Sequence, residues 1–492
     1  MGGAVTNSQV SVNGNTANGA VTGNSATNSV AVTGGNITAG SGNTVATAGT
    51  LIAGTGAQAD HALSNVQQVN EGASLTTSVF GTYAIDTAPG AAISGATLSV
   101  SNNSQRGSAV ANTAVNSVAV SGNSVSTTTA LASQQSSAAS VAASSNLELY
   151  APGAVANSSV ALSGNKNVSL GVINDVTNSL AVSGTNVSPV GIAANANLVA
   201  GTATGDHVLN NVQTASTSVS STANTRLYNQ DQVATATTGL ANSSVSVTGN
   251  TTTAEASANR ADNSVALNGA ALQGANAGLA NTQSSSAAVT ANASTSATFQ
   301  LNGSPLAPAA LNSGVTIDGN STTALARGNT ANNALNVAAG ASYGASTAAT
   351  AGSTLAGTQA TAAVLNTQGN SGAVTANATG TYQVALNGQS VGVVAGLTNG
   401  TAAVTGNTVA AQAYGNSANN TLTVAAPAVG RPTAAVGNYQ TNSGAIVATA
   451  SGVSYGVGVT GATNGSTLRA AGNQITATAV GNSAVSTIAS AR

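Results

Sequence analysis

The chain contains no cysteine and no tryptophan, and only 4% of its residues are charged and 2% aromatic. An ordinary globular domain carries about 25% charged residues. Without cysteine there is no disulfide scaffold, thiolate zinc site or haem attachment motif. Two histidines in 492 residues cannot supply the acid, base and nucleophile clusters of a soluble enzyme this large, so no catalytic residue and no cofactor is expected. Eight Lys+Arg against ten Asp+Glu leave no basic patch with which to hold nucleic acid. No apolar run approaches the ~18 residues that a membrane helix needs.

What remains is Ala, Ser, Thr, Asn, Val and Gly, with 57 glycines and 42% hydrophobic residues. A mean hydropathy of +0.17 is high for a disordered tail. The sequence opens Met1-Gly2-Gly3, with no basic or apolar leader segment. One Lys, seven Arg and no Cys suit an exposed, protease-rich place, and the expectation is the mature part of a secreted protein.

Large apolar residues alternate with small or polar ones in Val30-Ala31-Val32, Val118-Ala119-Val120, Leu180-Ala181-Val182, Val265-Ala266-Leu267 and Leu422-Thr423-Val424, between Asn/Ser and Gly/Asn. Period-two alternation of β-branched residues bounded by turn formers signals strands, and Gly and Asn turn the chain cheaply. The fold class is all-β.

Two landmarks recur. A Gln stands in a strand-like context at Gln67, Gln134, Gln213, Gln283, Gln368 and Gln440, in steps of 67, 79, 70, 85 and 72. An Asn precedes the alternating segment at Asn28, Asn116, Asn178, Asn263, Asn333 and Asn420, with Asn482 as the seventh, in steps of 88, 62, 85, 70, 87 and 62. Short and long steps alternate, so units of about 70–80 residues pair into double repeats of about 150. The expected division is a partial repeat at 1–64, double repeats at 65–210 and 211–365, and a third with the C-terminal end at 366–492. One aromatic follows each landmark Gln: Tyr83, Tyr150, Tyr228, Phe299, Tyr382 and Tyr455. These rings either plug one place in a repeated core or form an exposed row that stacks on polysaccharide.

Near-regular repetition of short strands with small side chains predicts an elongated β-solenoid. A sandwich array is the weaker alternative, because no linkers separate the units. At roughly 20–25 residues per coil the chain would make about 20 coils and a rod on the order of 100 Å.

The runs Gln368-Gly369-Asn370-Ser371-Gly372 and Gln440-Thr441-Asn442-Ser443-Gly444, in a chain of Gln, Asn, Gly, Ala and Val repeats, resemble curli-type secreted surface proteins. They are most similar to the holdfast-anchor proteins of stalked bacteria. The resemblance implies an extracellular, self-associating role at the cell surface, adhesion within a biofilm, and export through a curli-like outer-membrane channel.

Asp60-His61 and Asp206-His207 are too few ligands for a metal, and each pair is expected in a solvated turn. The pairs Thr235/Thr237 and Thr476/Thr478 raise ice binding, which requires such pairs in register. The repeat pattern reaches both ends without a charged cap, so Val5, Val10 and Val12 are expected to join Val485 and Ile488 of a neighbour, head to tail. The functional expectation is a structural subunit of an extracellular fibre or anchor that polymerises with itself. The alternatives are an adhesin binding polysaccharide through a repeated Tyr face, or an ice-binding solenoid.

Overall fold

The computed structural model describes residues 4–40, 42–46, 55–88, 91–230, 239–303, 308–344, 347–388, 396–427 and 432–491. The named elements are all strands. No helix among the described residues is long and apolar enough to cross a membrane.

The chain visits the same series of sheets repeatedly, in the same order. A two-residue strand such as Val5–Thr6 leads to a five-residue strand such as Gln9–Asn13 in what we term the corner sheet. Next comes a strand of the long sheet, then one of the Gln sheet (His61–Val69), then one of the aromatic sheet (Ser74–Ala84). The long sheet holds seven parallel strands: Thr16–Thr38, Ser104–Ser126, Lys166–Val187, Thr251–Leu272, Ser321–Tyr343, Thr408–Ala425 and Gln474–Ala491. Its pairs keep register across the stack, so Asn28, Asn116, Asn178, Asn263, Asn333 and Asn420 share one column. In the seventh strand Ser486 takes that column, and Asn482 stands opposite Asn416 instead.

These pairings overturn the short-coil expectation. Hydrogen-bonded neighbours in the long sheet lie 88, 62, 85, 70, 87 and 66 residues apart. Each unit therefore contributes one layer, and seven layers at ~4.8 Å make a stack about 29 Å deep rather than 100 Å. The breadth comes from the strands, because 23 residues at ~3.3 Å span about 75 Å. Segments such as Val30-Ala31-Val32, bracketed by Asn and Gly, are interior parts of one long strand.

The turns sit elsewhere. Where the corner strand meets the long strand, Gly14, Gly164, Gly249, Gly319, Gly406 and Gly472 have φ between 63° and 70°, and Asn102 fills the second unit's slot at 54°. One corner earlier Asn7, Asn157, Asn242, Asn312 and Asn399 have φ of 47–50°. Left-handed backbone favours these two residue types, Gly for lack of a Cβ and Asn for its local hydrogen bonding.

The alternation of long and short steps has a geometric cause. Antiparallel pairs (Asn43–Ala46 with Gly56–Ala59, Ala194–Leu198 with Gly201–Gly205, Ala349–Ser353 with Gly357–Ala360) follow the first, third and fifth long strands. After the second, Ser104–Ser126 runs almost directly into Thr129–Ser137. A strand pair is two layers wide, so one pair for every two units tiles a continuous six-stranded sheet.

The first part of each long strand packs on the aromatic and corner sheets, with Leu98, Val100, Leu149, Val219, Leu227 and Val289 at its core. The second part packs on the Gln sheet through Val118, Leu131, Leu180, Leu209, Leu267 and Leu279. The paired-strand sheet covers the Gln sheet's other face. A strand covered on both sides loses its alternation of exposure, and Thr129–Ser137 is buried at eight of nine positions.

Candidate functional site

Between the two apolar cores runs a polar seam. In the column Asn24, Asn112, Asn174, Asn259, Asn329, Asn416 and Asn482, each amide donates from Nδ2 to the next residue's Oδ1 at 2.7–2.8 Å. The second Nδ2 proton goes to a main-chain oxygen at the end of the Gln strand, as from Asn174 to Thr214 (2.9 Å) and Asn259 to Ser284 (2.9 Å). The Asn28 column donates in the same direction. So does a third ladder, Asn15 through Asn103, Asn165, Asn250, Asn320 and Asn407 to Asn473, which follows the glycine corners. Buried amides inside the ladders are tolerated because their donors and acceptors are paired, along the column and to the main chain beside it.

The Gln ladder runs the opposite way. Gln135 donates to Gln67, Gln213 to Gln135, Gln283 to Gln213, Gln368 to Gln283 and Gln440 to Gln368, at 2.6–2.8 Å. The expected Gln134 is therefore corrected to Gln135. Gln134 pairs with Val66 and Val212, one position off, and a one-residue slip puts a side chain on the opposite face.

The outermost strands Thr16–Thr38 and Gln474–Ala491 each have one neighbour in the long sheet. At the first edge, no hydrogen bond among the described residues uses Asn15, Asn24 or Asn28 Oδ1; these acceptors end their ladders. At the last edge, Asn473 and Asn482 each spend one Nδ2 proton on a main-chain oxygen, at 2.9 and 3.4 Å, and keep the other. For the Gln ladder the sense reverses: Gln67 keeps a donor proton, having given one to Thr113 O (2.9 Å), and Gln440 keeps its acceptor.

The expected assembly residues fall into two sets. Val5 is buried and pairs with Ile93, while Val10 and Val12 pair with Leu98 and Val100 and pack on the main core. Ile488 shares the column of buried Leu422, yet is 52% exposed because no aromatic or Gln strand of its own layer covers it. Val485, 61% exposed, stands opposite Asn419 in the column of exposed Val115. It looks outward, away from Ile488.

The six aromatics do not share a column. Tyr83, Leu149, Leu227, Ala297, Tyr382 and Tyr455 form one inward column. Tyr382 is fully buried there, with its hydroxyl 2.7 Å from Thr322 Oγ1, and its ring stacks on Tyr455 at 5.5 Å. Phe299 is buried two positions further on. Tyr150 and Tyr228 face outward as a pair. Equal spacing from Gln does not guarantee equal register, because the turn between the two strands varies in length.

The Asp-His pairs are corrected too. Asp60 is buried, and its Oδ2 accepts from Thr128 N and Oγ1 of the next layer at 2.9 and 3.1 Å. Asp206 Oδ2 accepts from Asn276 N and Nδ2 at 3.0 and 2.6 Å, and desolvation pushes its carboxyl up to about 6. His207 is fully buried with Nδ1 3.0 Å from Thr129 Oγ1, and desolvation pushes it down to about 3. Burial also lowers His61, against the pull of Asp60. The antiparallel pairs covering the Gln sheet create this burial, and nothing in the local sequence announces it. Of the Thr pairs, Thr235 and Thr237 lie outside the described residues, while Thr476 and Thr478 stand beside Ala410 and Gln412, out of register with other threonines.

No family model, no curated protein and no solved structure matches this chain.

Proposed function

We propose that the chain is one continuous β-solenoid of wide coils. On this reading it is a structural subunit of a secreted surface fibre or anchor that extends by stacking copies head to tail. The observation that carries this reading is the polarity of the amide ladders. The Asn ladders offer acceptors at the first edge and donors at the last, and the Gln ladder does the reverse. A copy translated along the stack therefore meets donor with acceptor in the Asn ladders, whereas an inverted copy meets like with like; the Gln ladder has a matching polarity but ends one layer short of the last long strand. Heterologous contacts that do not close produce filaments, and open strand edges supply the main-chain bonds. Export by an outer-membrane channel and a role in adhesion belong to the same reading, supported by composition and by the resemblance to curli-type proteins.

The last long strand offers the test. Gln474 N–H donates inward to Asn407 O at 2.8 Å. N–H groups of successive strand residues point to opposite edges, so that of Ala477 points outward. Ala477→Pro removes an open-edge donor without touching an internal ladder bond. Sedimentation velocity should show wild-type chain growing with concentration and A477P staying monomeric with an unchanged circular dichroism spectrum. Equal growth of both would refute edge stacking.

A further inference from the structure

The outer face of the aromatic sheet carries a group of side chains that the ladders do not use. Three rows run across its first strands, two residues apart along each: Phe80, Asn146 and Asn224; then Thr82, Glu148 and Arg226; then Ala84, Tyr150 and Tyr228. Phe80 is 70% exposed, in a chain with only two Phe. Arg226 Nη1 lies 3.1 Å from Glu148 Oε1, and its guanidinium carbon lies 4.2 Å from the centre of the Tyr228 ring. Tyr228 Oη donates to the same carboxylate oxygen at 3.0 Å, and the Tyr150 and Tyr228 rings lie 5.1 Å apart. Asn224 Nδ2 donates to Asn146 Oδ1 at 2.8 Å. No hydrogen bond among the described residues uses Asn146 Nδ2 or Asn224 Oδ1. Phe80, the two Asn, Glu148 and Arg226 line an open groove of about 370 Å³, within the roughly 300–1,000 Å³ of small-molecule sites.

We propose that this groove binds a neutral oligosaccharide, with one pyranose ring lying on Phe80 and its hydroxyls bridging the Asn pair and the Glu148–Arg226 pair. The chemistry is specific to sugars in three respects. An exposed ring presents a negative π face to the weakly positive C–H groups of a pyranose. The polar groups beside it alternate donor and acceptor, as adjacent hydroxyls require. The two charges cancel within the site, so the ligand needs no charge of its own. A peptide would instead need deep apolar pockets or a free strand edge; Ser140–Ala151 and Val219–Asn229, which carry the Asn pair and the Glu148–Arg226 pair, are hydrogen-bonded on both sides, and only the Phe80 strand, Ser74–Ala84, stands at the edge of the sheet. The groove opens on the outward face of the sheet, with Phe80 on that sheet's outermost strand, so a stacked copy would lie beside it.

Isothermal titration of the full chain with cellohexaose, maltohexaose, chitohexaose and hexagalacturonate tests it. At least one neutral hexamer should bind saturably. Phe80→Ala should weaken that binding tenfold or more and Glu148→Gln several-fold, while Tyr382→Phe, on the buried side of the sheet, leaves it unchanged. Phe80 contributes no core contact, so F80A should keep the wild-type circular dichroism spectrum and melting temperature. Three results would each overturn the proposal: no neutral hexamer binds, only hexagalacturonate binds, or F80A binds as wild type does.

Discussion

Replacing Asn259 with Asp changes one atom type at the centre of the Asn24–Asn482 ladder while keeping the side chain's shape. Asn259 is fully buried; it accepts from Asn174 at 2.8 Å and donates to Asn329 Oδ1 at 2.8 Å and Ser284 O at 2.9 Å. An ionised Asp keeps the first bond and loses both donors, leaving two acceptors facing a carboxylate. Each orphaned buried group costs about 1–3 kcal/mol, so Asn259→Asp should destabilise the fold by about 2–6 kcal/mol at pH 7, before any charge burial is counted. The sign with pH follows from linkage. Burial beside acceptors raises the folded-state pKa of this Asp above its unfolded value of about 3.9. The penalty is therefore present above the folded pKa and recedes as pH falls toward 3.9, because the protonated acid regains one donor. Asn259→Ala should cost a similar amount at every pH, and Asn24→Asp, at the half-exposed edge, about 1 kcal/mol or less. Urea unfolding of the three variants, each referred to wild type at pH 7 and pH 4, reads this directly. N259D as stable as wild type at pH 7, or with a deficit equal at both pH values, refutes the view that the amides act through their hydrogen bonds rather than their bulk.

Other outcomes follow from the same layers. A Cβ on Gly372 would sit 2.0 Å from Ala287 O, whereas one on Gly456 meets nothing nearer than 3.7 Å. Thermal melts should place Gly372→Ala about 1–3 kcal/mol or more below wild type and Gly456→Ala level with it or slightly above; equal melting of the two would contradict the registration of the layers. His207, held down to about 3 against an ordinary 6.5, stays neutral in the fold while the unfolded chain takes up a proton below pH 6.5. Wild type should thus lose stability relative to His207→Leu as pH falls from 7 to 4, by up to a few kcal/mol at ~1.4 kcal/mol per unit. A pH-independent difference between the two would show that the ring is not buried. Asp206, raised to about 6, is common to both proteins and works in the opposite sense, destabilising above pH 6 and relenting toward 3.8.

The sequence made the class, the repeats and the landmark Asn column legible, because Asn28 through Asn420 repeat one amide in each of the first six layers. It misled on scale. Gly and Asn read as strand ends, yet Gly19, Asn24 and Asn28 lie inside one strand of 23 residues. The signal that separates true corners from interior residues is the dipeptide at Gly14-Asn15, Asn102-Asn103, Gly164-Asn165, Gly249-Asn250, Gly319-Asn320, Gly406-Asn407 and Gly472-Asn473. It recurs once per layer and joins a left-handed residue to a ladder amide. Register in the Gln and aromatic sheets was harder to read. Gln134 and Gln135 are adjacent candidates, and only strand pairing tells which one faces the seam. The outward cluster of Phe80, Glu148, Arg226, Tyr150 and Tyr228 could not be seen as a group, since its members are up to 148 residues apart and meet only because layers stack.

Electron microscopy of the unmodified chain at neutral pH, without chaotrope, tests the central claim most directly. Head-to-tail stacking of layered strands predicts filaments that lengthen with concentration and show a meridional repeat near ~4.8 Å. Discrete particles about 29 Å deep along the stack that never join at any concentration would contradict it.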